Sequence, residues 1–198
     1  MPKGPDGLQI VRVKDRAAWR AWLEHNHDTS PGVWLVVAKK DARRPGVTYV
    51  EAVEEALCFG WIDSRPNTLD DEHYLQRLSP RRPKSVWSRP NKERIERLIA
   101  EDRMTVAGLR PIEVAKRDGS WNTLDDTDDL VVPRDLAAAL AARPGAKKHF
   151  DAYPPSVKKP ALYWITSAKR PETRVRRIAE VVDQASMGKR PLQWPPKL

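Results

Sequence analysis

Between Phe59 and Asn91 the chain reads FGWIDSRPNTLDDEHYLQRLSPRRPKSVWSRPN. This window holds Trp61 and Trp87 together with Asp63, Arg65, Arg77, Arg81, Arg82, Lys84 and Arg89. A solvated loop has no need of two tryptophans, and a buried strand has no use for so many cations. The combination points to the wall of a polar pocket, where indole rings exclude water and guanidinium groups meet an anion. Trp61, Asp63 and Arg65 alternate along a strand, so they are expected on one face, with Ile62 on the other. Arg77, from a partner strand, is expected near Asp63 or Arg65, and Asp63 would hold an arginine by a bidentate pair. Arg81, Arg82 and Lys84 arrive on a loop braced by prolines. Ser85, Ser88 and Asn91 offer neutral hydrogen bonds, and the first amides of a helix capped by Asn91 favour an anion. Phosphate, carboxylate or a nucleotide would suit such a pocket. The same residues would equally make an ion-pair network tying a hairpin to a helix, with the tryptophans as plain core.

A second basic group is Lys169, Arg170, Thr173, Arg174 and Arg177, around the first turns of the last helix. Unpaired N–H groups there make anion capture easy. Arg174 would join the first cluster if the two halves of the chain face each other, although a solvated basic face is the simpler reading. His25-Asn26-His27 offers two histidines where a metal site needs three or four ligands, so a polar helix end is favoured. His73 and His149 are isolated. Cys58 lies among Leu57, Phe59 and Trp61, where nothing would stabilise a thiolate. Asp70, Asp71 and Glu72 read as a solvated loop. The chain has no G-x-S-x-G, P-loop or G-x-G-x-x-G, and no nucleophile–base pair or cofactor signature emerges.

The elements that must position these residues follow from periodicity and capping. Leu8–Val13 alternates as a strand. Asp15 caps a helix to about His27 with Ala18, Trp19, Trp22 and Leu23 on one face. Val33–Ala38, VWLVVA, is apolar throughout and reads as a central strand. Thr48 and Glu51 form a capping box for the next helix, which Gly60 ends. Trp61–Arg65 and His73–Ser79 read as a hairpin joined by 66–72. Asn91 is expected to cap a helix carrying Ile95, Leu98 and Ile99, and Thr105 one that runs to Gly119 with Pro111 inside it. Residues 121–133 are acidic and read as a linker. Helices follow over 135–143, 144–153 and 155–168, and Pro171 opens the last, with Val175, Ile178, Val182 and Ala185 inward. The closing PLQWPPKL cannot continue a helix and is expected along the surface. The fold class is α+β: a small, mainly antiparallel sheet with packed helices over residues 1–120, then a helical subdomain over 134–198.

The chain has 198 residues and a formal net charge of +9, enough for one large or two small domains. From Lys147 to Leu198 twelve Lys or Arg face four Asp or Glu, so the C-terminal part holds most of the excess. Such a field attracts nucleic acid, anionic lipid or small anions, or keeps a soluble protein apart from its neighbours. With the single cysteine Cys58 no disulfide forms within the chain, which fits a reducing cytoplasm. The N-terminus MPKGPDGLQIVRVKD lacks the apolar core of a secretory signal, and no apolar run nears the roughly 20 residues that span a bilayer.

The segment EALCFGWIDSRPNTLDDEHYLQRLSPRRPKSVWSRPNKERIERLIAEDRM, together with the downstream YPPSVKKPALYWITSAKRPETRVRRIAEVV, resembles the bacterial YdeI/OmpD-associated, bacteriocin-protection family over about Leu8 to Lys189. The resemblance implies a role in tolerance of bacteriocins and cationic antimicrobial peptides, with an outer-membrane porin as associated partner. It implies no catalytic residue.

Three functions stand on these readings. The favoured one binds an anionic small molecule through Trp61, Asp63, Arg65, Arg77, Arg81, Lys84, Trp87, Ser88 and Asn91, with Lys169 and Arg174, in a stress-tolerance role. The second binds nucleic acid through the basic C-terminal region with base stacking on exposed rings. The third is an enzyme with Asp63 as general base and Arg77 or Arg81 stabilising charge. Direct capture of cationic peptides by so basic a chain is disfavoured by repulsion.

Overall fold

The computed structural model describes residues 2–43 and 46–191. The surface expectation for PLQWPPKL lies outside the described residues from Leu192 onward. The chain divides into two compact units, Met1–Asn122 and Thr123–Leu198.

In the first unit, β1 (Ile10–Val11), α1 (Arg16–Asn26), β2 (Val33–Ala38), α2 (Tyr49–Cys58), β3 (Trp61–Thr68), β4 (His73–Pro80), α3 (Arg89–Ala100) and α4 (Val106–Asp118) are followed by a 3-10 turn at Ser120–Asn122. The sheet order is β1-β2-β4-β3. A parallel pair needs a crossover, and α1 supplies it between β1 and β2. Strand β4 then enters the gap between β2 and β3 and pairs antiparallel with both. The sheet is therefore mixed but mainly antiparallel, in an α+β fold.

The apolar run of β2 reflects cover on both faces. Val33, Leu35 and Val37 join the main core with Trp19 and Leu23 of α1, Ala52 and Val53 of α2, Ile95 and Leu98 of α3, and Ile112 of α4. Trp34 and Val36 point the other way, into a small cluster with Leu75, Leu8 and Ile10. Asp15 caps α1, with its side chain accepting from the Ala18 amide, and Thr48–Glu51 forms the capping box of α2. Gly60 follows α2 with φ of 75°, and a Cβ there would stand 2.7 Å from the Ala107 carbonyl oxygen, so both backbone and space require glycine. Three expectations are corrected. The cap of α3 is Ser88 and Asn91 lies inside the helix, because Pro90 takes the first turn, where its missing N–H costs nothing. Ile99 is exposed; the buried stripe of α3 is Asn91, Ile95 and Leu98. Strand β3 runs on through Pro66 to Thr68, which an edge strand permits.

Two carboxylates lie inside this core. Glu54 and Glu55 of α2 are buried. Arg16 of α1 binds both, with Nε 2.6 Å from Glu55 Oε1 and Nη2 2.8 Å from Glu54 Oε2. Arg20 Nη1 donates to Glu55 Oε2 at 2.9 Å, Arg103 donates to Glu55 Oε1, and Arg97 of α3 to Glu54 Oε1. The charges are thus shared among three helices and the turn after α3.

In the second unit a short α5 (Asp125–Asp128) precedes α6 (Arg134–Ala142), α7 (Ala146–Ala152), α8 (Pro155–Thr166) and α9 (Pro171–Ser186). Its core joins Leu136, Leu140, Phe150, Leu162, Ile165, Ile178, Val181, Val182 and Ala185. Val175, expected inward, is exposed; Val181 fills the stripe instead. Within 121–133, Thr127 is buried and Asp128 accepts from Lys159 Nζ of α8 at 2.9 Å.

Removing a buried partner of a charge network costs far more than a surface pair, about 3–5 kcal/mol. Glu55→Ala is expected to lower the unfolding free energy read from a urea titration by that order, and a loss under about 1 kcal/mol would show the network to be idle. The crossing of α4 on α2 makes a second demand. A Cβ at Gly108 would sit 2.2 Å from the Cys58 carbonyl oxygen. Gly108→Ala should therefore cost about 1–3 kcal/mol, whereas Val106→Ala on the exposed side of the same helix should change stability by less than about 0.5 kcal/mol.

Candidate functional site

The residues singled out between Phe59 and Asn91 do not stay together. Trp61 is buried, donates from Nε1 to the His27 carbonyl at 3.0 Å and meets Trp22 edge-on with centroids 6.0 Å apart. It is core, because an indole that finds a backbone acceptor inside has no reason to face a ligand.

Asp63 and Arg65 do not share a face. The pairing of β3 with β4 shifts register between Asp63 and Pro66, and such a bulge breaks the alternation. Asp63 Oδ2 accepts from the Tyr49 hydroxyl of α2 at 2.9 Å. Burial, then this bond, pushes the Tyr49 pKa up to about 12. Arg65 stands on the opposite side, 5.6 Å over the Trp34 ring. Arg77 joins it there rather than Asp63. Its Nε donates to Asp6 Oδ2 at 2.9 Å, while Arg65 Nη2 lies 3.7 Å from the same oxygen and Trp34 Nε1 donates to Asp6 Oδ1 at 2.7 Å. Asp6 is the carboxylate that sequence reading missed. The indole hydrogen bond first, then Arg77, holds its pKa down at about 2.

Lys169 is exposed in the second unit. Arg174 makes a bidentate pair with Asp135 of α6, Nε to Oδ2 at 2.6 Å and Nη2 to Oδ1 at 2.9 Å. It therefore pins α9 to α6, a local partner outcompeting any distant one. The rings of His25 and His27 donate to the Ala21 and Leu23 carbonyls at 2.7 and 2.9 Å, as helix-end side chains do. Cys58 is buried, and burial pushes its thiol pKa up.

What remains together is Arg81, Lys84 and Trp87. They line a cavity of about 180 Å3 with Arg82, Pro83, Ser85, and Arg110, Pro111, Val114 and Ala115 of α4, closed by Ser120. The Arg81 guanidinium lies flat on Trp87, its Cζ 3.4 Å from the ring centroid. Trp87 is itself backed by Trp121, centroids 5.1 Å apart, and Lys92 and Lys116 each stand 5.3 Å from the Trp121 ring. Stacked cations over indoles gain about 2 kcal/mol or more once water is excluded. Arg81 Nη1 donates to the Val86 carbonyl at 3.0 Å and to Ser85 Oγ at 3.3 Å. Its Nε and Nη2 are buried and make no hydrogen bond among the described residues. Burial lowers the pKa of this group to about 10, with Asp63 working the other way, so it stays charged at neutral pH. Among the described residues the cavity lining contains no carboxylate. Lys84 holds φ of 60°, a left-handed backbone that costs a non-glycine residue about 1–2 kcal/mol.

Ser88 caps α3 without a side-chain hydrogen bond, and buried Asn91 accepts from Arg94 Nη1 at 2.9 Å. Neither lines the cavity. The wall from α4 was not foreseen; the one signal for it was Trp121, an indole in an otherwise acidic stretch. The described tryptophans are all buried or half-buried.

The Asp6 contact makes a pH prediction. A carboxylate whose folded pKa is depressed contributes stability above its unfolded value, 3.8, and loses it as pH falls toward about 2. The melting temperature of the chain should fall over that interval, and Asp6→Asn should flatten the fall. An unchanged slope would remove Asp6 from the account.

A family model described as Domain of unknown function (DUF8412) matches residues 11–111. One described as Bacteriocin-protection, YdeI or OmpD-Associated (OmdA) matches residues 129–188. The resemblance to that second family therefore holds for the C-terminal helices, while FGWIDS and RPKSVWS fall within the first match. No curated protein and no solved structure matches the chain.

Proposed function

Since the chain belongs to the family of the first model, described as DUF8412, and ends in an OmdA match, we propose that it is a bacteriocin-protection protein of YdeI type that works by binding a small anion at Arg81. One observation carries the reading: a half-buried Arg81 stacked on Trp87, whose buried Nε and Nη2 make no hydrogen bond among the described residues, beside a cavity. An unsatisfied buried donor costs about 1–3 kcal/mol, more when charged, so a partner that supplies acceptors is strongly favoured. Arg82, Lys84 and Arg110 at the exposed rim attract anions and, with no acid in the lining, nothing competes inside. The OmdA match supports the protective role at family level, and the first unit would supply the ligand site. Asp63 stands outside that lining and accepts from Tyr49, which favours binding over a reading with Asp63 as the base.

Arg81→Ala tests this directly. At least one member of a panel of acetate, benzoate, phosphate and sulfate is expected to raise the melting temperature of the wild-type chain and not that of the variant. In a bacterial strain lacking the gene, the wild-type chain should restore bacteriocin tolerance and Arg81→Ala should not, although it folds. Full restoration by the variant would overturn the proposal.

A further inference from the structure

Resting on that anion-pocket reading, we infer that the occupant is a monocarboxylate with a compact apolar body, seated side-on against Nε and Nη2 of Arg81. The planar guanidinium presents its donors in fixed pairs. The Nη1 end is spent on Ser85 and Val86. The two unpaired atoms, Nε and Nη2, share the remaining edge. That edge carries two parallel N–H bonds, the spacing that a single carboxylate fills with both oxygens.

The walls decide the rest of the ligand. Pro83, Trp87, Pro111, Val114 and Ala115 are apolar, so the body behind the carboxylate is apolar too. An apolar cavity of about 150 Å3 takes a benzene ring, and this one is about 180 Å3. A phosphate dianion asks for more donors than one arginine edge, and the other lining cations are exposed at the rim, where water screens them. They serve entry rather than seating. Because Nε and Nη2 are closed to solvent, the ligand reaches them by a small slide of the guanidinium across the Trp87 face, a motion that keeps the stack. Trp87 therefore reports on binding.

The experiment titrates the full chain with benzoate, benzamide and inorganic phosphate, read by tryptophan fluorescence and by thermal shift. Benzoate is expected to bind saturably. Benzamide, the same body without charge, should bind at least tenfold more weakly. Arg81→Lys should lose at least tenfold in benzoate affinity, because an ammonium cannot form the fork; the benzoate–benzamide comparison on the wild-type chain stands even if that variant fails to fold. Binding of phosphate without benzoate would overturn the carboxylate assignment and leave the anion pocket standing. Binding of none of the three would overturn both. Equal affinity for benzoate and benzamide, or unchanged benzoate affinity in a folded Arg81→Lys, would overturn the seat at Arg81.

Discussion

The first unit depends on two neighbouring carboxylates being held dry inside it. Glu54 and Glu55 point into the ground between α1, α2 and α3, where burial of a charge is tolerable only with complete pairing. Arg16 and Arg20 come from α1, Arg97 from α3 and Arg103 from the turn beyond it. Arg20 also donates to the Arg103 carbonyl at 3.2 Å. The helices cannot slide on one another without breaking a charged contact. With α1, α2 and α3 held so, α4 lies across the end of α2, where Thr105 Oγ1 donates to the Cys58 carbonyl at 2.6 Å. That crossing sets the α4 wall of the Arg81 cavity.

The same residue type behaves in two ways within one fold. The four arginines around Glu54 and Glu55 have their charge answered by carboxylates, and those contacts raise the pKa of Arg16, Arg20 and Arg97. Arg81 is half-buried against an indole, with a lowered pKa and with Nε and Nη2 unpaired among the described residues. Satisfied arginines hold structure together; an unsatisfied one at a cavity holds potential for a ligand. The contrast also corrects the impression that composition gives. Many of the basic residues are committed to internal pairs such as Arg77–Asp6 and Arg174–Asp135, which leave the excess itself unchanged.

Local signals were legible where local chemistry rules. The Thr48–Glu51 capping box, the Asp15 cap and the glycine after α2 act over a few residues, and each appears where its spacing places it. The apolar run of β2 announced a strand covered on both faces. The cluster at Phe59–Asn91 was legible as chemistry but not as geometry. A bulge turned Arg65 away from Asp63, and Trp61 found an acceptor at His27, far off in sequence. The α3 start moved to Ser88 because Pro90 suits a first turn better than Asn91 suits a cap.

By itself the sequence determined the element order, the α+β class, the helical C-terminal part and the kinship of its last helices with the OmdA model. Those depend on periodicity, capping and short motifs, which act over one or two turns. Tertiary structure alone decided that Arg81 would keep buried donors unpaired among the described residues. Asp6 lies 71 residues from Arg77, and Asp135 lies 39 from Arg174. Pairing across such distances depends on how strands register and helices cross. No pattern along the chain reveals that Arg77 and Arg174 find a carboxylate while Arg81 finds the face of Trp87.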